Sequence, residues 1–190
     1  KKGWEVWICL LLYNKVDYII DSRVHIIDLT SKNTNRIFSF PKWFFGVRKV
    51  IRDIKPKVVL SFAARINIIV LLAVTGLKQN VVISERNDPY MDGRSFIIDY
   101  MTKLLYPHAK AIIIQTKRAL GYFKKFRLKN VYILPNPIYI SKKKNTPVRH
   151  RIISVGRLTN QKNHKMLIKS FRYIQNEFKD AELYIYGEGE

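Results

Sequence analysis

Eight short runs of β-branched and other apolar residues recur along the chain, with helical or turn-rich stretches between them. The runs fall at residues 5–11, 24–29, 58–62, 81–84, 111–115, 131–134, 152–155 and 182–186. Most are apolar at nearly every position, the pattern of strands covered on both faces. Between them lie stretches with helical spacing. Residues 42–54 align Phe44, Val47, Ile51 and Ile54, and residues 65–75 are apolar nearly all round, as in a buried helix. Residues 95–105 put Ile97, Met101 and Leu104 on one face. Residues 117–126 follow Thr116, an N-cap candidate. Residues 165–178 align Leu167, Phe171, Ile174 and Phe178. Strand alternating with helix predicts an open α/β fold, with a parallel sheet and right-handed crossovers.

The alternation breaks at residues 136–150. Pro135, Pro137 and Pro147 punctuate this stretch, three lysines run together, and little is apolar. The predicted organisation is an α/β domain over 1–135, a hinge or linker over 136–150, and the start of a second α/β domain over 151–190. The first strand's turn is expected to be missing from the front. The chain begins on Lys and ends on Gly-Glu-Gly-Glu, which reads as a piece cut at both ends.

Composition narrows the function classes. At 47% hydrophobic residues the chain has material for a core, so a disordered polybasic tail is excluded. The single cysteine, Cys9, excludes a disulfide framework and a cysteine-based zinc site. A membrane span needs roughly 20 apolar residues, and the longest such run, residues 66–77, contains Asn67 and Thr75. The opening KKGWEVWICLLLYN has the lysines and apolar run of a signal peptide, but Glu5 interrupts it and no small-residue cleavage site follows. The expected location is cytoplasmic.

The formal charge of +21 asks for an anionic partner. Basic residues cluster in 41–57, 117–129 and 141–151. Trp43, Phe44 and Phe45 interleave with the first cluster, and Tyr122, Phe123 and Phe126 with the second. That composition suits amphipathic helices lying on anionic lipid. It also suits single-stranded nucleic acid, and aromatic stripes equally often face a core. No nucleic-acid motif is present, so lipid is favoured, with the protein peripheral on the inner face of the plasma membrane.

The stretch that carries chemistry is RIISVGRLTNQKNHKMLIKSF, residues 151–171. A predicted strand ends at Val155, Gly156 and Arg157 follow, and a helix begins near Asn163. Ligands of open α/β sheets sit at the carboxyl ends of strands. A glycine there admits close backbone approach, and a helix N-terminus favours an anion. Arg157 and Lys162 add two full charges, one suited to gripping phosphate in a fork and one acting as a point charge. Gly156, Arg157 and Lys162 therefore describe a diphosphate site; the alternative is that both cations are simply solvated. His164 reads as a residue of the first helical turn, since no second histidine stands at metal-ligand spacing.

The string ISVGRLTNQKNHKMLIKSF followed by AELYIYGEGE resembles the opening of the donor-binding domain of family 4 retaining glycosyltransferases. VYILPNPI, residues 131–138, is similar to that family's strand-to-hinge segment. VVISERNDP, residues 81–89, is similar to the acceptor-domain strand end of members that build bacterial surface polysaccharides. The resemblance covers the chain from about residue 58 onward. It implies the GT-B fold, two Rossmann-like domains facing across a cleft. It implies a nucleotide-sugar donor, a UDP-sugar, and a lipid-linked or surface glycan as acceptor.

By that resemblance Gly156, Arg157 and Lys162 hold the donor diphosphate. Gly187 and Gly189 lie where bare backbone approaches the nucleotide, and Asn136 lies at the hinge beside the cleft. Glu85, Arg86 and Asp88 stand where an acceptor sugar is contacted; the alternative for these is a local ion-pair cluster. The leaving diphosphate gains charge in the transition state, so cations placed on it lower the barrier. No metal or other cofactor is expected. The family's two glutamates eight positions apart are not matched by Glu188 and Glu190, and Ser84-Glu85-Arg86-Asn87-Asp88 stands where many members carry a cleft histidine. No catalytic base is assigned, and the 190-residue chain is expected to be inactive by itself. Two rivals remain: a non-catalytic basic module binding nucleic acid or another anionic polymer, and a dinucleotide-using Rossmann enzyme whose fingerprint would lie ahead of residue 1.

Overall fold

The apolar runs form strands, and among the described residues every strand pairing is parallel. The computed structural model describes residues 3–12, 18–30, 36–138 and 149–189. The chain divides into two units, Lys1–Pro137 and Ile138–Glu190. Most of the expected linker, residues 139–148, lies outside the described residues, and so does most of the third basic cluster.

In the first unit, β1 (Val6–Leu10) pairs with β2 (Val24–Asp28), Val6 opposite Val24 and Leu10 opposite Asp28. A separate four-stranded sheet runs β3 (Val59–Phe62), β4 (Val81–Ser84), β5 (Ala111–Ile114) and β6 (Val131–Ile133) in chain order. Helices α1 (Arg36–Ile54), α2 (Ala64–Ala73), α3 (Phe96–Leu105) and α4 (Lys117–Phe123) are the crossovers. They form one layer: α1 packs on α2 and α2 on α3, while Tyr122 of α4 donates to Asp99 of α3 at 2.5 Å. Trp43, Val47 and Ile51 of α1 meet Ile68–Leu71 of α2 in the core, above Ile83 of β4 and Ile112 and Ile114 of β5. Each such side chain contributes about 1.5–3 kcal/mol by leaving water. Arg48 ties α1 to the end of α2, donating to the carbonyls of Ala73 at 2.7 Å and Thr75 at 2.9 Å.

Three helices depart from their sequence reading. First, α1 begins at Arg36, ahead of Pro41, which sits inside the helix. A proline suggests a start because its missing N–H costs nothing in the first turn, but here one interior hydrogen bond is given up instead. Second, α3 buries Thr102 and Leu105 and partly buries Ile98 and Met101, so of the expected stripe Ile97, Met101 and Leu104 only Met101 turns inward. Phe96 and Ile97 are 84% and 69% exposed. This helix is apolar on both faces, so spacing alone could not select between two stripes one residue apart. Third, α4 ends at Phe123 and tightens into a 3₁₀ turn over Lys124–Phe126. Its start was legible: the Thr116 hydroxyl accepts from the Ala119 amide at 3.1 Å.

The aromatics of the basic helices belong to the core more than to a surface. Trp43, Tyr122 and Phe123 are buried and Phe44 and Phe126 partly so; Phe45 alone of the six is exposed. What these helices offer a bilayer is therefore Phe45 with Phe40, and exposed cations such as Lys49 and Lys124. Among the described residues no helix is long and apolar enough to cross a membrane.

The second unit is smaller. β7 (Arg151–Val155) pairs with β8 (Glu182–Tyr186), Arg151 opposite Glu182 and Val155 opposite Tyr186, and α5 (His164–Glu177) joins them. The entry of β7 is tied to the turn before β8: the His150 ring meets Asp180 at 2.8 Å and lies 4.4 Å from the Phe178 ring.

Candidate functional site

Beyond the ends of β7 and β8 the two following loops are zipped together. The Gly156 amide donates to the Tyr186 carbonyl at 2.9 Å, and the Leu158 amide to the Glu188 carbonyl at 2.8 Å. That contact explains the glycines. A Cβ on Gly187 would stand 1.8 Å from the Gly156 carbonyl oxygen, and one on Gly189 2.7 Å from the Leu158 Cβ. Gly187 and Gly189 are thus required by the approach of one loop to the other, before any ligand is considered.

Gly156 differs. A Cβ there would meet only the stem of Lys162, at 3.5 Å, an ordinary contact. The stem lies over the glycine because a 3₁₀ turn, Asn160–Lys162, folds the chain back before α5. Asn163 then enters the helix with φ +50°, a conformation asparagine tolerates better than most residues. The loop is pinned from both sides: the Arg157 carbonyl accepts from the Thr159 amide at 2.9 Å and lies 3.1 Å from His164 Nε2. His164 thus holds the loop against the first turn of α5. Arg157 and Lys162 are exposed, and among the described residues neither is paired with an acid. The segment brings Gly156, Arg157, Lys162 and the N-terminus of α5 to one strand end. Chemically it is a rigid backbone loop carrying two free cations, suited to an anion.

In the first unit the residues after β4 separate. Glu85 turns inward and is buried. Its carboxylate accepts from the Tyr106 hydroxyl, from Arg94 Nη2 at 3.1 Å and from Asn67 Nδ2 at 3.4 Å. Arg94 also grips Asp92, with contacts of 2.6–3.1 Å, and its guanidinium lies 5.3 Å from the Tyr122 ring and 5.5 Å from the Phe123 ring. Burial opposes the charge on Arg94, but the bond to Asp92 and the charge of Glu85 outweigh it and raise its pKa. Burial first, and then the neighbouring Glu85 charge, push the Tyr106 phenol well above its ordinary value. Asp88 is taken up by Arg118 at 3.0 Å and caps the Tyr90 amide at 3.0 Å.

Arg86 instead reaches Asn136, donating to its side-chain oxygen, and lies over the Phe62 ring at 5.2 Å. Arg86 and Asn136 therefore meet at the carboxyl edge of the sheet, across the ends of β3, β4 and β6. Asn67, Asp92, Arg94 and Tyr106 were not singled out in the sequence. The mixed charges of ERNDPYMDGR were the one local hint, because Asn67 and Tyr106 come from elsewhere in the chain.

No protein-family model matches the chain. It is 29% identical to MJ1059 of Methanocaldococcus jannaschii, described as an uncharacterized glycosyltransferase, over 98% of this chain and 56% of that protein. It is 30% identical, over 95% of this chain and 54% of the relative, to a Campylobacter jejuni protein. That protein is N-acetylgalactosamine-N,N'-diacetylbacillosaminyl-diphospho-undecaprenol 4-alpha-N-acetylgalactosaminyltransferase. The relatives of this chain are glycosyltransferases. The chain spans about half the length of the curated relatives it matches.

Among solved structures, TarM of S. aureus superposes with a TM-score of 0.66 at 14% identity, over 80% of this chain and 32% of that one. UDP-GlcNAc 2-epimerase of Methanocaldococcus jannaschii superposes with a TM-score of 0.52 at 14% identity, over 85% of this chain and 50% of that one. At such identities the likeness shows the fold alone. It is the GT-B-like α/β fold, one that transferases and epimerases share, so activity has to be argued from the site and the sequence relatives.

Proposed function

We propose that this chain is part of a retaining glycosyltransferase that moves a sugar from a UDP-sugar to a lipid-linked glycan. The loop Gly156–Lys162 is the donor diphosphate site, and the single observation that carries the reading is its pairing of a pinned backbone with two unpartnered cations at a strand end. The transferase relatives, one of them named for a diphospho-undecaprenol substrate, support the choice of reaction and acceptor class.

In the proposed mechanism the bond from the anomeric carbon to the donor diphosphate breaks. The pair of electrons stays on the diphosphate, the sugar passes through an oxocarbenium-like state, and the acceptor hydroxyl oxygen bonds to the anomeric carbon as its proton passes to the departing diphosphate. Arg157 forks onto the diphosphate oxygens and Lys162 adds a point charge, so both attract the leaving group more strongly as its charge grows. These cations would do the work that a bound metal does elsewhere. His164, by fixing the Arg157 carbonyl, keeps the loop in register and is a positioning residue. Arg86 and Asn136, at the carboxyl edge of the first unit's sheet, are proposed to meet the acceptor side of the reaction. The basic surface, with a chain charge of +21, would hold the enzyme on an anionic membrane face where a lipid-linked acceptor lies.

The test is Arg157→Ala in the full-length enzyme. A charge-assisted contact of about 1.5–3 kcal/mol predicts a loss of roughly 10- to 150-fold in donor kcat/KM. An unchanged kcat/KM, with UDP binding by calorimetry also unchanged, removes Arg157 from the diphosphate site.

A further inference from the structure

The cations of the basic stretch 117–129 have different fates. Arg118 is taken up by Asp88 at 3.0 Å and Lys125 by Asp99 at 2.8 Å. Lys117 and Lys129 are exposed at the two ends of the stretch. Lys124 and Arg127 instead line a surface cavity of about 410 Å³ where the end of α4 meets the start of β6. Among the described residues their side chains meet no acid and no other hydrogen-bonding partner. Sites for small molecules have volumes of roughly 300–1,000 Å³, so this cavity has room for one.

The local fold builds the cavity. Helix α4 ends at Phe123, and the chain tightens into the 3₁₀ turn Lys124–Phe126. Arg127 then takes the left-handed conformation, φ +51°, and its amide closes the turn on the Lys124 carbonyl at 3.0 Å. The two cations are thereby held at the two ends of one closed turn. Left-handed backbone is uncommon for a residue other than glycine. Here Leu128 packs against the core directly after it, while Arg127 stays exposed. Asn130 is also left-handed, at φ +56°, and its carbonyl accepts from the Ile112 amide at 2.9 Å. That bond fixes the backbone and leaves the Asn130 side chain free at the cavity.

The lining is of two kinds. Leu120, Phe123, Leu128 and Val131 belong to the core or pack against it. Lys124, Arg127 and Asn130 are exposed and bring an ammonium, a planar guanidinium and an amide. Two full positive charges select an anion, and a dianion best. A phosphate monoester is close to dianionic at neutral pH, since its second pKa is about 6, and it offers three strong acceptor oxygens. The guanidinium can take two of these in a fork, and the ammonium can take one as a point charge. The apolar lining asks for a ligand body that gains by leaving water.

We infer that this cavity is a binding site for a phosphate monoester carrying an apolar body. It lies at the amino edge of the sheet, where β6 begins, whereas Arg86 and Asn136 meet at the carboxyl edge. Neither those two residues nor the second unit takes part, so the site is independent of the transferase reading.

The probe is n-hexyl phosphate, titrated into the 190-residue chain by calorimetry. One saturable site is expected, at least about tenfold tighter for hexyl phosphate than for inorganic phosphate, a ratio that burial of roughly two methylenes supplies. Lys124→Gln and Arg127→Gln are each expected to weaken hexyl phosphate binding about tenfold. Both positions are exposed, so the melting temperature of the ligand-free chain should not change. Lys129→Gln removes the same charge from a neighbouring exposed position that does not line the cavity, and should change binding less than about twofold. A vesicle arm names the source of the phosphate. Phosphatidylcholine vesicles carrying dioleoylphosphatidate present a monoester, and vesicles carrying phosphatidylglycerol at equal charge density present a diester. Retention on the phosphatidate vesicles in preference to the others, lost when Lys124 and Arg127 are both replaced by Gln, makes the ligand a lipid headgroup. Hexyl phosphate binding without that preference makes it a soluble ester. No saturable binding of hexyl phosphate at millimolar concentration, or no advantage over inorganic phosphate, overturns the site. So does an equal loss for Lys129→Gln, because binding would then follow net charge alone.

Discussion

Arg94→Met tests the buried charge network of the first unit. The guanidinium is bound to Asp92 at 2.6 Å and to Glu85 at 3.1 Å, and the three side chains are 4%, 9% and 2% exposed. Methionine keeps an apolar stem against Tyr122 and Phe123, so the loss is chiefly electrostatic. Removing one partner of a buried pair strands the other charge and costs about 3–5 kcal/mol, whereas an exposed pair is worth about 0–1. Total stability of a domain is about 5–15 kcal/mol, so Arg94→Met is expected to remove a large part of it. Urea unfolding followed by tryptophan fluorescence reads this unit selectively, because Trp4, Trp7 and Trp43 all lie within Lys1–Pro137. Adding Glu85→Gln relieves one stranded charge while leaving an oxygen for the Tyr106 hydroxyl. The double variant should therefore be more stable than the sum of the single losses by about 0.5–3 kcal/mol. A loss below about 1 kcal/mol for Arg94→Met, or strict additivity in the double variant, would refute the account of Glu85 as a structural carboxylate.

Gly187→Ala should melt the second unit selectively, since its Cβ would stand 1.8 Å from the Gly156 oxygen; exchange protection in β7 and β8 that survives the change would sink this explanation. Stability should also fall in alkali. The Tyr106 pKa is raised above its free value of 10.0, so the contribution is complete below about pH 10 and is lost as pH rises toward the folded value; a flat stability profile through pH 10 and above contradicts it.

Much of the fold was legible because its signals are local. Residues 81–84 and 182–186 are strands as read, being β-branched runs bounded by turn residues. Thr116 announces α4 because a cap hydroxyl reaches only three residues forward. The misreadings come where local signals are degenerate or partners distant. Helix α3 is apolar on two faces, and only its packing on α2 decides which is buried. Gly187 could be flagged as a turn glycine, yet its reason is the carbonyl of Gly156, 31 residues earlier. Arg86 and Asn136 were both candidates, but their pairing depends on β3, β4 and β6 ending side by side. Glu85 was read as an acceptor contact or a member of a local ion-pair cluster, and its burial was not legible because Asn67 and Tyr106, which close over it with Arg94, are distant in sequence.

The proposed donor site lies on a marginal unit. Among the described residues of Ile138–Glu190 a single α-helix, α5, accompanies two strands, and Ala181 is the buried apolar residue. Ile153 and Val155, 60% and 79% exposed, show that one face of β7 is uncovered. Cores this small supply at most about 3–5 kcal/mol. A variant at Arg157 or Lys162 in the 190-residue chain therefore changes two quantities together, ligand contact and the folded fraction of the unit. They separate by mass action: if UDP binds only the folded form, raising its concentration stabilises the wild-type unit by RT ln(1 + [L]/Kd). A variant that lost only a contact keeps the ligand-free stability and loses the ligand-induced rise. A variant that lost structure starts lower and keeps the rise. Arg157→Ala is expected to behave in the first way and Gly187→Ala in the second, and an exchange of the two patterns would contradict the roles assigned to the arginine and the glycine.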